Sequence, residues 1–293
     1  MIAEKTKVGL VLRPGVKKAV ELGFKVVEWL EKRGLSLLVE QKTARLLGLR
    51  TKGVTAEVLA NTADPIIVLG GDGTLIGIAH YINKHRPILV GVNFGRLGFL
   101  TEIAPAELLG TLEDVLAGKA LIGERSMILA EVVRDKRIAF SAQGVNEAVV
   151  LKGAHAPLLP LDVSVDGNDV MRLRADGLIV STATGSTAYS LAAGGSIVYP
   201  SLSVVLMTPI CPHSLTVRPL ILSLDSEIRI SIPDYAGSVH LSVDGQISEE
   251  LKTGDVIQIR RANNVVQFVR SATRNYFEIL RAKLNWGIAN SEE

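Results

Sequence analysis

Apolar residues in the first third of the chain fall into short runs separated by segments of helical spacing. Residues 7–12 (KVGLVL), 35–39 (LSLLV), 66–69 (IIVL) and 88–92 (ILVGV) are runs of strand length. Val16, Val20, Phe24, Val27 and Leu30 recur every three or four positions and predict a helix over 16–33, ended by Gly34. Further helices are predicted over 55–61, 75–83 and 105–116, the last with Pro105 at its start. Residues 70–74 (GGDGT) read as the loop between the strand at 66–69 and its helix. Alternation of this kind predicts a parallel sheet covered on both faces.

Beyond residue 122 the rhythm changes. Segments 126–133, 137–140, 147–151, 161–165, 227–232, 239–243 and 256–260 read as strands joined by turns. Asp166-Gly167-Asn168 and Asp244-Gly245 are hairpin signals. The second half is therefore mainly β. No fixed-period repeat stands out, and the polar tail 285–293 is expected to fray.

Composition narrows the choice of function. The 293 residues are 47% hydrophobic and 21% charged, enough for a sizeable core beneath a soluble surface. Net charge is +2 with no Lys/Arg block, which argues against a nucleic-acid partner. A single cysteine, Cys211, excludes an intrachain disulfide and fits the cytoplasm; it reads as a small buried hydrophobe. Residues 177–217 contain no Asp, Glu, Lys or Arg. Glycines and prolines interrupt that run, so it reads as buried interior or subunit interface and not as a membrane span.

Four stretches carry candidate chemistry. In GGDGT, glycines expose backbone N–H groups at a strand end, where doubly wound sheets bind ligands and a helix start favours anions. Asp72 beside phosphate either holds Mg²⁺, accepts a proton from an attacking hydroxyl, or merely caps the helix. No Walker loop and no G-x-G-x-x-G fingerprint is present. In NFGRLGFL (residues 93–100) Gly95 and Gly98 permit tight turns, and Arg96 either meets phosphate or is solvated. In QGVNE (residues 143–147) an amide beside a carboxylate suits ribose hydroxyls, or is a strand-edge turn. Residues 174–190 (RADGLIVSTATGSTAYS) run as a strand into a small, hydroxyl-rich loop, with the Tyr189 ring available for stacking, or form a tight helix–strand crossing. The five histidines show no metal-ligand spacing.

Taken in order, GGDGT, NFGRLGFL, GVNEAVV (residues 144–150), DGLIVSTATGSTAYSLAAGGSIV (residues 176–198) and TPICPHSLTVRPLIL (residues 208–222) resemble the NAD kinase family, across residues 8–280. GGDGT alone also resembles diacylglycerol-type lipid kinases and, loosely, phosphofructokinases. The resemblance implies a Rossmann-like α/β domain over 1–104, rejoined by a segment at about 271–293. A mainly β, sandwich-like NAD-binding domain is implied over 105–270. The implied reaction moves the γ-phosphoryl group of ATP to the 2′-hydroxyl of the adenosine ribose of NAD, giving NADP. It needs Mg²⁺ or another divalent cation, and polyphosphate is a further donor to consider. By the matching motifs, Asp72 is the general base and Gly71, Gly73 and Thr74 shape its loop. Phe99 and Arg96 lie nearby. Asn146 and Glu147 face a ribose, and Asp176 the nicotinamide, in some members from a neighbouring subunit. Thr184, Thr187, Ala188, Tyr189 and Ser190 line the adenine and ribose pocket. A homodimer or homotetramer is implied. The rival readings are a lipid or sugar-phosphate kinase and a non-catalytic dinucleotide sensor.

Overall fold

The computed structural model describes residues 6–49, 53–95 and 98–286. Arg96 and most of the tail 285–293 lie outside the described residues. By internal contacts the chain forms two units, residues 1–124 with 266–293, and residues 125–265.

The first unit contains β1 (Lys7–Leu12), α1 (Lys17–Lys32), β2 (Ser36–Glu40), α2 (Gln41–Leu46), β3 (Gly53–Val54), α3 (Ala56–Thr62), β4 (Ile66–Leu69), α4 (Asp72–Ala79), β5 (Ile88–Val92) and α5 (Leu108–Leu116). Its strands run parallel in the order β3-β2-β1-β4-β5. That is a doubly wound, Rossmann-like sheet. The chain leaves β1 in one direction and resumes at β4 in the other, which opens a crevice at the ends of β1 and β4. β4 is buried along its whole length, as a strand covered on both faces must be.

Helix α1 forms where predicted and turns most of the predicted stripe to the core. Val27 and Leu30 are buried and Val16 and Val20 pack against the same cluster, whereas Phe24 is 52% exposed. Ala19, Gly23 and Val26 complete the buried face, and a side chain at Gly23 would press on Leu12 of β1. Gly34 ends the helix at a φ of +65°. Helix α5, expected after the domain break, places Leu108 and Leu112 in the same core as β1 and α1.

The second unit holds β7 (Arg137–Gly144), β8 (Glu147–Lys152), β9 (Leu159–Val165), β10 (Asn168–Ala175), β11 (Gly177–Thr182), a 3-10 turn (Gly185–Thr187), α6 (Tyr189–Ala192), β12 (Val204–Ile210), β13 (Leu220–Ser223), β14 (Ile228–Ser231), β15 (Val239–Val243) and β16 (Ile247–Leu251). Two long strands, β6 (Ile122–Arg134) and β17 (Val256–Val269), run through the chain positions where the units meet. In the second unit one antiparallel sheet is ordered β13-β12-β11-β8-β15-β16, and a second contains β10-β9-β14-β17 with β6 and β7. Val150, Val180 and Leu241 from the first share a core with Leu161, Ile230 and Ile257 from the second. The result is a β-sandwich. Its hairpins turn at Asp166-Gly167 and Asp244-Gly245, with positive φ at all four residues.

The uncharged run divides. β11 and most of β12 are buried, but Cys211, expected inside, is exposed. It sits in the turn just after β12, with a φ of +47° that takes it off the strand. Among the described residues no helix is long and apolar enough to cross a membrane.

The remaining segment of the first unit is α7 (Tyr276–Leu284), preceded by the end of β17. Gln267 and Phe268 of β17 pair in parallel with β5. A capping box between Asn275 and Glu278 starts α7, and Tyr276, Ile279 and Leu280 bury its inner face.

Candidate active site

The loops after β1, β4 and β5 line a cleft of about 370 Å³ at the switch point of the first unit. Arg13 and Val16 come from the first loop, Gly70, Gly71 and Asp72 from the second, and Asn93, Phe94, Gly95 and Gly98 from the third; Lys283 of α7 completes it.

GGDGT is not simply a loop. Gly71 is the N-cap of α4, and Asp72 is its first helical residue. Gly73 is exposed and Thr74 half-buried on the first turn. The Asp72 side chain does not cap its own helix; it reaches across to the third loop. Oδ1 accepts from the Leu100 N–H at 3.1 Å, the Thr101 N–H at 3.0 Å and the Thr101 hydroxyl at 2.8 Å. Oδ2 accepts from the Phe99 N–H at 2.8 Å and lies 3.7 Å from Lys283 Nζ. This geometry depends on Gly98, where a Cβ would collide with both Asp72 Oδ1 and Thr101 Oγ1. The Phe99 ring lies 4.7 Å from Lys283 Nζ and 6.1 Å from the Tyr276 ring, measured to ring centroids. Sequence reasoning reached Asp72 and Phe99 but missed Lys283.

In the second unit, the QGVNE and STATGSTAYS stretches are joined to each other. Thr182 N–H donates to the Asn146 carbonyl at 2.8 Å, and the Thr182 hydroxyl donates to the Val145 carbonyl at 2.7 Å. A Cβ at Gly185 would collide with the Asn146 carbonyl, so only glycine permits this approach. Asp244, read from sequence only as a hairpin residue, holds the turn from the other side. Its carboxylate accepts from the N–H groups of Val145, Asn146 and Glu147 at 2.7–2.9 Å.

Glu147 is buried, with Oε2 lacking a hydrogen-bond partner among the described residues. Burial chiefly, and then the like charge of Asp244, push its carboxyl from 4.5 up to about 7, against the pull of a backbone N–H bond from Tyr189. The Tyr189 ring is exposed. Thr187 and Ala188 are half-buried beside it. Thr184 and Ser190 are buried; the Ser190 hydroxyl pairs with Thr208 at 2.8 Å.

Asp176 stands apart from this cluster. Glu147 lies opposite Ser181 in the β8–β11 pair, while Leu151 lies opposite Gly177. Asp176 is thus at the other end of the strands, roughly 17 Å along, where Lys152 Nζ is 3.4 Å away.

Known proteins share both halves. The ATP-NAD kinase N-terminal domain matches residues 8–120, and the ATP-NAD kinase C-terminal domain matches residues 145–271. An NAD kinase of Geobacter metallireducens is 45% identical over 262 residues, 89% of this chain and 92% of its own length. One from Citrifermentans bemidjiense is 41% identical over 96% of this chain and 99% of its own. Yeast NADH kinase, solved in complex with NADH, aligns at a TM-score of 0.91 and 26% identity, covering 100% of this chain and 91% of its own. An NAD kinase from Archaeoglobus fulgidus, solved in complex with ATP, aligns at 0.76 and 25% identity over 94% of this chain and 99% of its own. This chain belongs to the NAD kinase family.

Proposed function

We propose that the Asp72 cleft is where this phosphotransferase activates the 2′-hydroxyl of the adenosine ribose of NAD toward the γ-phosphorus of ATP. The observation that carries this is the unequal loading of the Asp72 carboxylate. Each oxygen has room for about two hydrogen bonds. Among the described residues Oδ1 already receives three donors, whereas Oδ2 receives one. Oδ2 is therefore the atom with capacity for a substrate hydroxyl. In the step, the hydroxyl proton passes to Oδ2 as a ribose oxygen lone pair forms the new O–P bond. The bond from the γ-phosphorus to the β–γ bridging oxygen breaks, and ADP leaves with that electron pair. Gly71, Gly73 and Thr74 shape the start of α4, whose N–H groups face the phosphates. Phe99 closes one side of the base.

Recognition of the dinucleotide falls to the second unit. Asn146 and Glu147 meet ribose hydroxyls. A carboxyl that titrates near 7 both donates and accepts, which suits a hydroxyl partner. Thr187, Ala188 and Tyr189 offer the surface for the adenine and its ribose. Thr184 and Ser190 support that loop from beneath. Asp176, at the far end of β11, serves the nicotinamide end from a neighbouring copy. Exposed apolar side chains within or near the uncharged run, Tyr199, Leu202, Leu215 and Ile221, support a homo-oligomer. An Arg96 contact to phosphate also belongs to this reading.

A divalent cation completes it. Among the described residues no three His, Cys, Asp or Glu side chains converge. One carboxylate in the cleft fits a Mg²⁺ ion carried by the nucleotide phosphates, with Asp72 nearest. Bound there, the ion supplies neutralisation of phosphate charge. The free thiol of Cys211 supports a cytoplasmic setting.

The test is NADP formation from NAD, ATP and Mg²⁺ by the purified protein, read with an NADP-specific dehydrogenase and repeated with polyphosphate. NADP in proportion to enzyme is the expected result. No product with either donor would overturn the reading.

A further inference from the structure

We propose that Lys283, on α7, is a phosphate-binding residue of this reaction. It leaves Asp72 Oδ2 to hold a non-bridging oxygen of the transferring phosphoryl group, and so opens that oxygen to the attacking hydroxyl. The inference rests on the assignment of the Asp72 cleft to phosphoryl transfer.

Helical geometry brings Lys283 to the cleft. Tyr276, Ile279 and Leu280 are buried, and a residue three or four positions further continues the same face. Lys283 is that residue. Its ammonium reaches the cleft beside Asp72, at 3.7 Å from Oδ2 and over the Phe99 ring. Phe99 in turn contacts Tyr276, so the aromatic pair fixes the stem of the helix against the third loop. The Lys283 side chain is 29% exposed, which leaves its ammonium accessible from the cleft.

The electrostatics call for such a group. A transferring phosphoryl group carries spread negative charge, and cations close to it are the main source of stabilisation. The cleft also contains a carboxylate, which repels the same charge. Two cationic side chains line the described cleft, Arg13 and Lys283. Lys283 is the one placed against the base. A flexible four-carbon stem lets it exchange a carboxylate for a phosphate oxygen within a short swing. The exchange matters because Oδ2 is also the oxygen with room for the hydroxyl. While Lys283 leans on Oδ2, it stands where the two reacting groups must meet. Donor phosphate draws it away, so arrival of the donor readies the base.

Steady-state kinetics with ATP and NAD on the unaltered protein, Lys283→Ala and Lys283→Arg test this, with melting curves for all three and calorimetry for NAD alone. The expected result is a loss of about 30-fold or more in kcat/KM for ATP in Lys283→Ala. NAD affinity without ATP should stay within about twofold, and Lys283→Arg should recover part of the lost rate. Lys283→Ala with kcat and KM for ATP within about twofold of the unaltered protein would overturn the assignment alone. So would equal losses in Ala and Arg variants that both melt early, since that marks a packing role on Phe99. No NADP from the unaltered protein would overturn the underlying reading of the cleft as well.

Discussion

Two carboxylates at strand ends, Asp72 in the first unit and Glu147 in the second, receive opposite company. Asp72 is met by three backbone N–H groups, a hydroxyl and a lysine. Glu147 is buried, with one oxygen unpartnered among the described residues and a second carboxylate, Asp244, nearby. The same functional group is thereby given two different tasks. At Asp72 the surroundings orient an acceptor, one oxygen tied down and the other open to chemistry. At Glu147 they keep a proton in place near neutral pH, and a protonated carboxyl can donate as well as accept. On the proposed reading, these surroundings suit Asp72 to the role of base and Glu147 to recognition.

The sharpest way to break this comparison is at Asp72. Asp72→Asn keeps the shape but cannot take the hydroxyl proton, so turnover should fall by about 10²–10⁴-fold. NAD affinity by calorimetry should change little. Comparable turnover would remove the distinction between the two acids.

Glu147→Gln probes the other side. Between pH 4.5 and about 7 the folded protein holds a proton that the unfolded chain has released. Stability therefore falls as pH rises through that window and levels off above it, by about 3 kcal/mol at most. Glutamine removes the titration. Denaturant melts from pH 5 to 8 should show the variant nearly flat and more stable than the unaltered protein at pH 8. Parallel curves would show that Glu147 is not the titrating group.

Asp244→Ala leaves three N–H groups without their acceptor and should cost about 1–3 kcal/mol in the same melts. Asp244→Asn retains an acceptor but removes the charge. Because burial is the larger cause of the Glu147 shift and Asp244 the smaller, its pH transition should move only modestly toward 4.5. A full return would reverse that order of causes. The mildest change expected is at the exposed Glu28–Lys32 pair on α1, where Lys32→Ala should leave the melting curve nearly unchanged.

Much of the fold was legible because periodicity reports burial. The strands at 66–69 and 88–92 coincide with β4 and β5, and both Asp-Gly hairpins form. Elsewhere local signals were outweighed. Glycines beside Asp72 argue for a loop, yet the helix begins at Asp72, whose side chain is held by a loop far along the chain. β12 has no alternation to detect, since it is buried on both faces. Phe24 shares the apolar spacing of α1 but is exposed, while Val20, Val27 and Leu30 of the same stripe meet the core. Asp72 in the first unit, and Asn146 and Glu147 in the second, announced themselves as candidates through glycine and amide neighbours. Asp244 did not, because a hairpin already accounted for it. Lys283 was hidden for another reason. The spacing from Tyr276 places it on the inner face of α7, but spacing alone does not say which cleft that face meets.

The first unit is discontinuous, closing with residues 266–293 after the whole of the second has intervened. On a ribosome, β1 to α5 emerge early and can begin to assemble while the sandwich is still being made. The pairing of β17 with β5 and the placement of Lys283 must wait until the second unit has been made. A nascent chain therefore carries Asp72 long before it carries the lysine that stands against it. Premature termination before α7 would leave most of the architecture encoded but the Asp72 cleft missing one wall.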